Sequence, residues 1–72
     1  MNREEWLSTF CEQIGVDPPS AEEVEALLAL AATAAHDSER TAAPLACWAA
    51  GRSGRGAAEL GEIAARINPP AA

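Results

Sequence analysis

Hydrophobic positions recur along the chain at the spacing of four amphipathic helices. The first is predicted from Arg3 to Ile14, because Asn2 and Glu5 form a capping-box signature before it and Gly15 follows it as a left-handed stop. Its apolar stripe consists of Trp6, Leu7, Phe10, Cys11 and Ile14. The stiff segment Asp17-Pro18-Pro19 then separates it from the second helix.

Three further helices are predicted from similar signals. The second begins after the capping box of Ser20 and Glu23 and ends near His36. The third runs from Ala42 or Ala43 to Ala50, with Pro44 tolerated in its first turn and Gly51 ending it. The fourth runs from about Gly56 to Ile67, and the run Asn68-Pro69-Pro70 closes it.

The apolar faces of these helices predict one shared core. We expect the inward face of the second helix to be formed by Val24, Leu27, Leu28, Ala31, Ala34 and Ala35. Leu45, Trp48 and Ala49 are the predicted buried stripe of the third helix. The expected central cluster is Trp6, Phe10, Leu27, Leu28, Trp48, Leu60 and Ile63.

The fold class that follows is all-α: a compact single domain of about four short helices over residues 1–72. No alternating β-branched run predicts a strand. A chain of 72 residues has a thin core, and small scaffolds usually need a disulfide, a metal or a partner for stability.

The charge balance limits the classes of partner that we expect. Eleven acidic residues against five arginines give a net charge of −6, which makes nucleic acid an unfavourable partner. No apolar run has membrane-spanning length and no signal-peptide pattern is found, so we expect a cytoplasmic protein without a membrane partner. In that compartment Cys11 and Cys47 are expected to be free thiols.

The polar segment between the second and third helices suggests no complete catalytic set. His36, Asp37 and Glu39 are too few ligands for a zinc site, so we expect no catalytic residue, no metal and no cofactor. Two alternatives stay open at this point. Ser38 in the pair Asp37-Ser38 resembles the modified serine of acyl carrier proteins, although Glu39 departs from their pattern. The segment from Gly51 to Gly56 could instead form a nucleotide- or anion-sensing module through Arg52 and Arg55.

One family resemblance carries a more specific hint. The matching residues are Trp6-Leu7, Ile14-Gly15-Val16-Asp17, the leucines of the second helix, Ala35-His36, Glu39-Arg40, Ala42-Ala43-Pro44-Leu45, Trp48 and Gly51. With these the chain resembles a family of small uncharacterised helical domains of high-GC bacteria. Genes of that family often stand beside, or are fused to, genes of molybdenum cofactor guanylyltransferases. The resemblance implies an accessory role in molybdopterin-guanine dinucleotide biosynthesis and implies no chemistry.

The sequence therefore predicts a non-catalytic accessory or interaction domain. The expected partner is a protein, with a molybdenum cofactor guanylyltransferase as the specific candidate, and a homodimer stays open. Because Arg and Trp are enriched among residues that dominate binding energy, the expected partner-binding surface consists of Arg40, Trp48, Arg52 and Arg55.

Overall fold

The computed structural model describes residues 1–68 and contains four α-helices in that range. They are α1 (Arg3–Ile14), α2 (Ala21–Asp37), α3 (Ala42–Ser53) and α4 (Ala57–Ile67). The predicted all-α fold of four short helices in one small domain is confirmed. The predicted closure of α4 by Pro69 and Pro70 lies outside the described residues.

Local signals at the helix ends work as the sequence predicts. Both capping boxes are present: the Glu5 backbone N–H donates to Asn2 Oδ1 at 2.8 Å, and the Glu23 N–H donates to Ser20 Oγ at 3.1 Å. Gly15 adopts the left-handed conformation with φ of 79°, and the Val16 N–H reaches back to the Cys11 carbonyl oxygen at 2.9 Å. These contacts fix where α1 and α2 begin and where α1 ends.

The third helix is longer than predicted. It continues through Gly51 to Ser53, and Gly54 ends it in the left-handed conformation with φ of 70°. A glycine inside a helix costs only about 1 kcal/mol, so Gly51 does not have to stop α3 when Gly54 supplies a better cap. Pro44 lies in the first turn, where its missing N–H breaks no helical bond.

Helix α2 is the centre of the packing. It lies against both α3 and α4, whereas the backbone of α1 comes close to that of another helix at no more than an isolated point, and Cys11 is its buried residue. The molecule accordingly measures 45 × 23 × 18 Å. Within residues 1–68 only three residues are buried, and all three side chains are small: Cys11, Ala50 and Ala64.

The predicted central cluster of large side chains is therefore wrong. Trp6, Phe10, Leu28 and Trp48 are all exposed, and Leu27, Leu60 and Ile63 are half-buried. The helices meet instead through small residues, which let backbones approach closely but leave little depth in which a large side chain can be enclosed. Much of the large apolar surface of this chain consequently faces solvent.

Candidate functional site

The outer face of α3 is the candidate binding surface. Leu45, Trp48 and Arg52 lie three and four residues apart, and Ala49 lies four residues after Leu45 and three before Arg52, so all four share one side of the helix. Leu45 is 68% exposed and Trp48 is 66% exposed. The prediction that Leu45, Trp48 and Ala49 form the buried stripe of α3 is thus wrong: the stripe exists, but it faces solvent.

The opposite face of α3 explains this orientation. It carries Ala43, Ala46, Cys47 and Ala50, all of them at least half-buried. Helices pack at shorter interaxial distances when the side chains between them are small. The alanine side of α3 therefore lies against α2, and the bulky side turns outward.

Trp48 and Arg52 form the defined centre of this outer surface. The guanidinium carbon of Arg52 lies over the Trp48 ring, 5.0 Å from its centre, within the range of a cation–π contact. The contact follows from their spacing of one helical turn. It holds a positive charge and a large aromatic face together at the surface.

The remaining two predicted site residues lie near the two ends of α3. Arg40 is exposed in the turn that precedes α3, and its carbonyl oxygen accepts the Ala43 N–H at 3.1 Å. Arg52 lies ten residues beyond the first residue of α3, which is about 15 Å along the helix axis. Arg55 lies in the turn after α3, where its Nη1 is 2.6 Å from Glu59 Oε1. The structure thus brings Trp48 and Arg52 together and leaves Arg40 and Arg55 at opposite ends.

The charge of this surface differs from that of the chain as a whole. Helix α3 contains no acidic residue and has Arg52 in its last turn, whereas the chain carries a net charge of −6. The surface is therefore apolar at Leu45 and Trp48 and positive at Arg52, near the C-terminal end of α3. Such a face suits a partner that offers an apolar depression with carboxylates around it.

The turn from Gly54 to Gly56 has the glycines expected of an anion cradle, but its groups are already engaged. The Arg55 N–H donates to Ser53 Oγ at 3.2 Å, and the Arg55 guanidinium pairs with Glu59. A neighbouring concave space of 340 Å³ between α2, α3 and α4 is lined by both Arg55 and Glu23. Hydrogen bonds from the Ser20 backbone and side chain lower the pKa of Glu23 from its usual 4.5, so it is ionised at neutral pH. This carboxylate opposes an anion there.

The polar segment after α2 is used for helix termination. The Ser38 hydroxyl donates to the Ala34 carbonyl oxygen at 2.7 Å, as does the Ser38 backbone N–H at 3.2 Å. Ser38 is exposed at the C-terminal end of α2. Among residues 1–68, no group of three or more His, Cys, Asp or Glu side chains is arranged to hold a metal ion. The residues His36, Asp37 and Glu39 thus make no such group.

A second apolar surface was missed at the sequence level and lies on α1. Trp6 and Phe10 are exposed and stack on each other, with ring centres 5.1 Å apart and planes inclined by 23°. Ile14, one turn further along, is exposed as well. Arg3 falls on the same side of the helix. A charged residue within an apolar stripe is the signal that could have marked it as solvent-facing, and Arg52 gives the same signal on α3.

One comparison with known proteins gives a match over the whole chain. A family model described as "Domain of unknown function (DUF6457)" matches residues 1–72. No curated protein and no solved structure gives a significant match. Within the described residues, no helix is both long enough and apolar enough to cross a membrane.

Proposed function

The chain belongs to the DUF6457 family, and we propose that it is a non-catalytic interaction domain whose outer α3 face binds a protein partner. The observation that carries the proposal is the exposure of Leu45 and Trp48 on one side of α3 while alanines occupy the other side. Contiguous exposed apolar side chains on a small domain are typical of interaction sites. Trp48 and Arg52 belong to the residue types that dominate binding energy.

The partner that we propose is a molybdenum cofactor guanylyltransferase. Its support is the resemblance of the central segment, from Ala35 to Gly51, to domains whose genes accompany those enzymes. The domain would act as an accessory in the guanylylation of the cofactor. A cytoplasmic location is part of the same proposal, and it is supported by the free thiols of Cys11 and Cys47.

Calorimetric titration of the domain into a guanylyltransferase from the same organism tests this function. We expect binding by the wild-type chain and at least tenfold weaker binding by Trp48→Ala, because a tryptophan at the centre of an interface is commonly worth about 2 kcal/mol or more. Arg52→Ala should weaken binding to a smaller extent. Arg66→Ala removes an exposed arginine from α4 and is the matched control.

Two results would remove the proposal. One is the absence of association at about 200 μM, which corresponds to a binding free energy weaker than about 5 kcal/mol. The other is an affinity of the Trp48→Ala and Arg52→Ala variants equal to that of the Arg66→Ala control. Circular dichroism of each variant should show that its helices are retained, because Trp48 and Arg52 are exposed and bury little on folding.

A further inference from the structure

We propose that α1 is a self-association surface, on which the stripe of Trp6, Phe10 and Ile14 packs against the same stripe of a second copy with the two helices antiparallel. This inference goes beyond the proposed function, because it concerns a different helix and a different partner. It is argued from the exposure of the stripe, the position of the charges on α1 and the area available for burial.

The stripe is extensive and ordered. Trp6 is 54% exposed, Phe10 45% and Ile14 56%, although α1 is only twelve residues long. The two rings already stack on each other within one chain. Side chains that are held in one arrangement before binding lose less conformational entropy when a partner covers them.

The charges of α1 leave this stripe open to an identical helix. Successive residues are rotated by about 100°, which places Glu4, Glu5 and Glu12 on the other side of α1 from Phe10. Two copies that meet through Phe10 therefore bring no carboxylates of α1 face to face. This arrangement lets a second copy approach the stripe without repulsion between α1 carboxylates, although the chain has a net charge of −6.

The antiparallel orientation follows from Arg3. The last turn of α1 has no basic residue to complement the exposed carbonyl groups at its C-terminal end. Arg3 lies seven residues before Phe10, or about 10 Å along the axis, so in an antiparallel pair centred on Phe10 it reaches the C-terminal end of the other α1. A parallel pair would instead place Arg3 beside Arg3. Among residues 1–68 the ion-pair partner of Arg3 is the exposed Glu4, which is a weak competitor.

The available area is that of a weak dimer. The exposed parts of Trp6, Phe10 and Ile14 from two copies amount to roughly 600 Å², and flanking side chains bring the contact towards about 1,000 Å², the lower limit of a specific interface. We therefore expect a dissociation constant in the micromolar range and a mixture of monomer and dimer at laboratory concentrations.

Sedimentation equilibrium of the full chain over a range of concentrations is the direct test. We expect a reversible monomer–dimer equilibrium for the wild type and at least tenfold weaker association for Phe10→Glu, which places two carboxylates at the centre of the contact. Trp6→Gln is a second variant with the same expectation and no added charge. Trp48→Glu alters the exposed aromatic residue of α3 instead, and it should dimerise like the wild type.

Two further measurements test the antiparallel orientation of the two α1 helices and the burial of the Trp6 ring in the dimer. Arg3→Glu should weaken the dimer most at low salt, because it places a carboxylate at the carbonyl end of the other helix. In a Trp48→Phe background Trp6 is the one remaining tryptophan, and its emission should shift to shorter wavelength as the dimer forms. A Trp6 emission that does not change with concentration in a chain that dimerises would overturn the proposal.

Other outcomes overturn it equally. One is a chain that stays monomeric at about 500 μM, because its self-association would then be weaker than a specific interface of this size requires. The other is a dimer that Phe10→Glu leaves intact. A dimer lost in Trp48→Glu but kept in Phe10→Glu would assign self-association to α3. The proposed function fails separately, because Phe10→Glu is expected to keep guanylyltransferase binding and Arg52→Ala is expected to keep the dimer.

Discussion

The sulfur atom of Cys47 lies 4.0 Å from the carbonyl oxygen of Leu27, so α3 approaches the backbone of α2 through a small side chain. Ala50, one turn further along α3, is buried on the same side. The contact between the two helices is therefore a seam of small residues. Its stability depends on short distances between backbones more than on the area of any one side chain.

This seam should be sensitive to added volume. We expect Ala50→Leu to lower the free energy of unfolding by about 1–3 kcal/mol, because extra methylene groups must push α3 away from α2. Ala49→Leu is the matched control, since Ala49 is the adjacent residue on the exposed side of the same helix. Urea denaturation of both variants checks this. Equal effects of the two substitutions would show that Ala50 does not lie in a tight contact.

The neighbouring leucines of α2, Leu27 and Leu28, should contribute differently to the free energy of unfolding. Leu27 is half-buried and lines the space between α2, α3 and α4, whereas Leu28 is 52% exposed. Leu27→Ala should cost about 2 kcal/mol, near the lower end for a core leucine, and Leu28→Ala about 1 kcal/mol or less. Thermal unfolding at a fixed protein concentration distinguishes them. A larger loss from Leu28→Ala would contradict the observed orientation of α2.

The predictability of α3 shows where sequence patterns stop being sufficient. Helix ends such as Asn2 with Glu5 and Ser20 with Glu23 were predicted correctly, because a cap depends on residues three positions apart. The buried side of α3 was predicted wrongly, because this helix has two apolar stripes. Which stripe faces α2 depends on how closely the helices approach, and that is a property of the whole packing.

The features of the candidate site also differ in how far the sequence could predict them. The contact between Trp48 and Arg52 follows from their spacing on one helix, so the sequence could indicate it. The separation of Arg40 from Arg55 depends on the true length of α3, which a single glycine at position 51 obscured. The exposure of Trp6 was indicated only by Arg3 on the same side of α1, because the rest of the stripe is equally suited to a core.

The contact between Arg52 and Trp48 should be visible by fluorescence. In a Trp6→Phe background, Arg52→Ala should raise the quenching of Trp48 by acrylamide, because the guanidinium no longer covers one face of the ring. The free energy of unfolding should fall by no more than about 0.5–1 kcal/mol, as for other exposed cation–π pairs. Arg66→Ala in the same background should leave the quenching unchanged. Unaltered quenching in Arg52→Ala would mean that the contact is not maintained in solution.

The capping box of α2 should give the stability a defined acid dependence. Hydrogen bonds from Ser20 hold the pKa of Glu23 below its usual value of 4.5 in the folded state. The stabilisation is therefore complete above about pH 4.5 and is lost as the pH falls through the lower, folded-state pKa. Glu23→Gln can still reach the Ser20 N–H but carries no charge.

Melting temperatures at pH 7 and pH 3 test this dependence. The difference between the two should be smaller for Glu23→Gln than for the wild type, because the variant has lost one carboxylate whose pKa is lowered in the folded state. Glu22→Gln in the same helical turn is the matched control, and it should retain a larger share of the difference. An acid dependence that is identical in the wild type and in Glu23→Gln would contradict the role assigned to this carboxylate.

Helix α1 should open more readily than α2, because its backbone lies close to that of another helix at no more than an isolated point. Amide hydrogen exchange followed by mass spectrometry should show faster exchange in residues 3–14 than in residues 21–37. If α1 is covered by a second copy, its protection should rise with protein concentration while that of α2 stays constant. Phe10→Glu should abolish the concentration dependence. Protection of α1 equal to that of α2 at high dilution would contradict the loose attachment seen here.

The small buried residues Cys11, Ala50 and Ala64 also determine how the domain responds to heat. Unfolding changes the heat capacity mainly through the apolar surface that it newly exposes to water. Here most large apolar side chains meet water already, so this increment should fall below the usual value of about 12–15 cal/mol/K per residue. The curve of stability against temperature is then broad and shallow, with little loss on cooling. We therefore expect the alanine seam to give a domain of low stability that changes little with temperature.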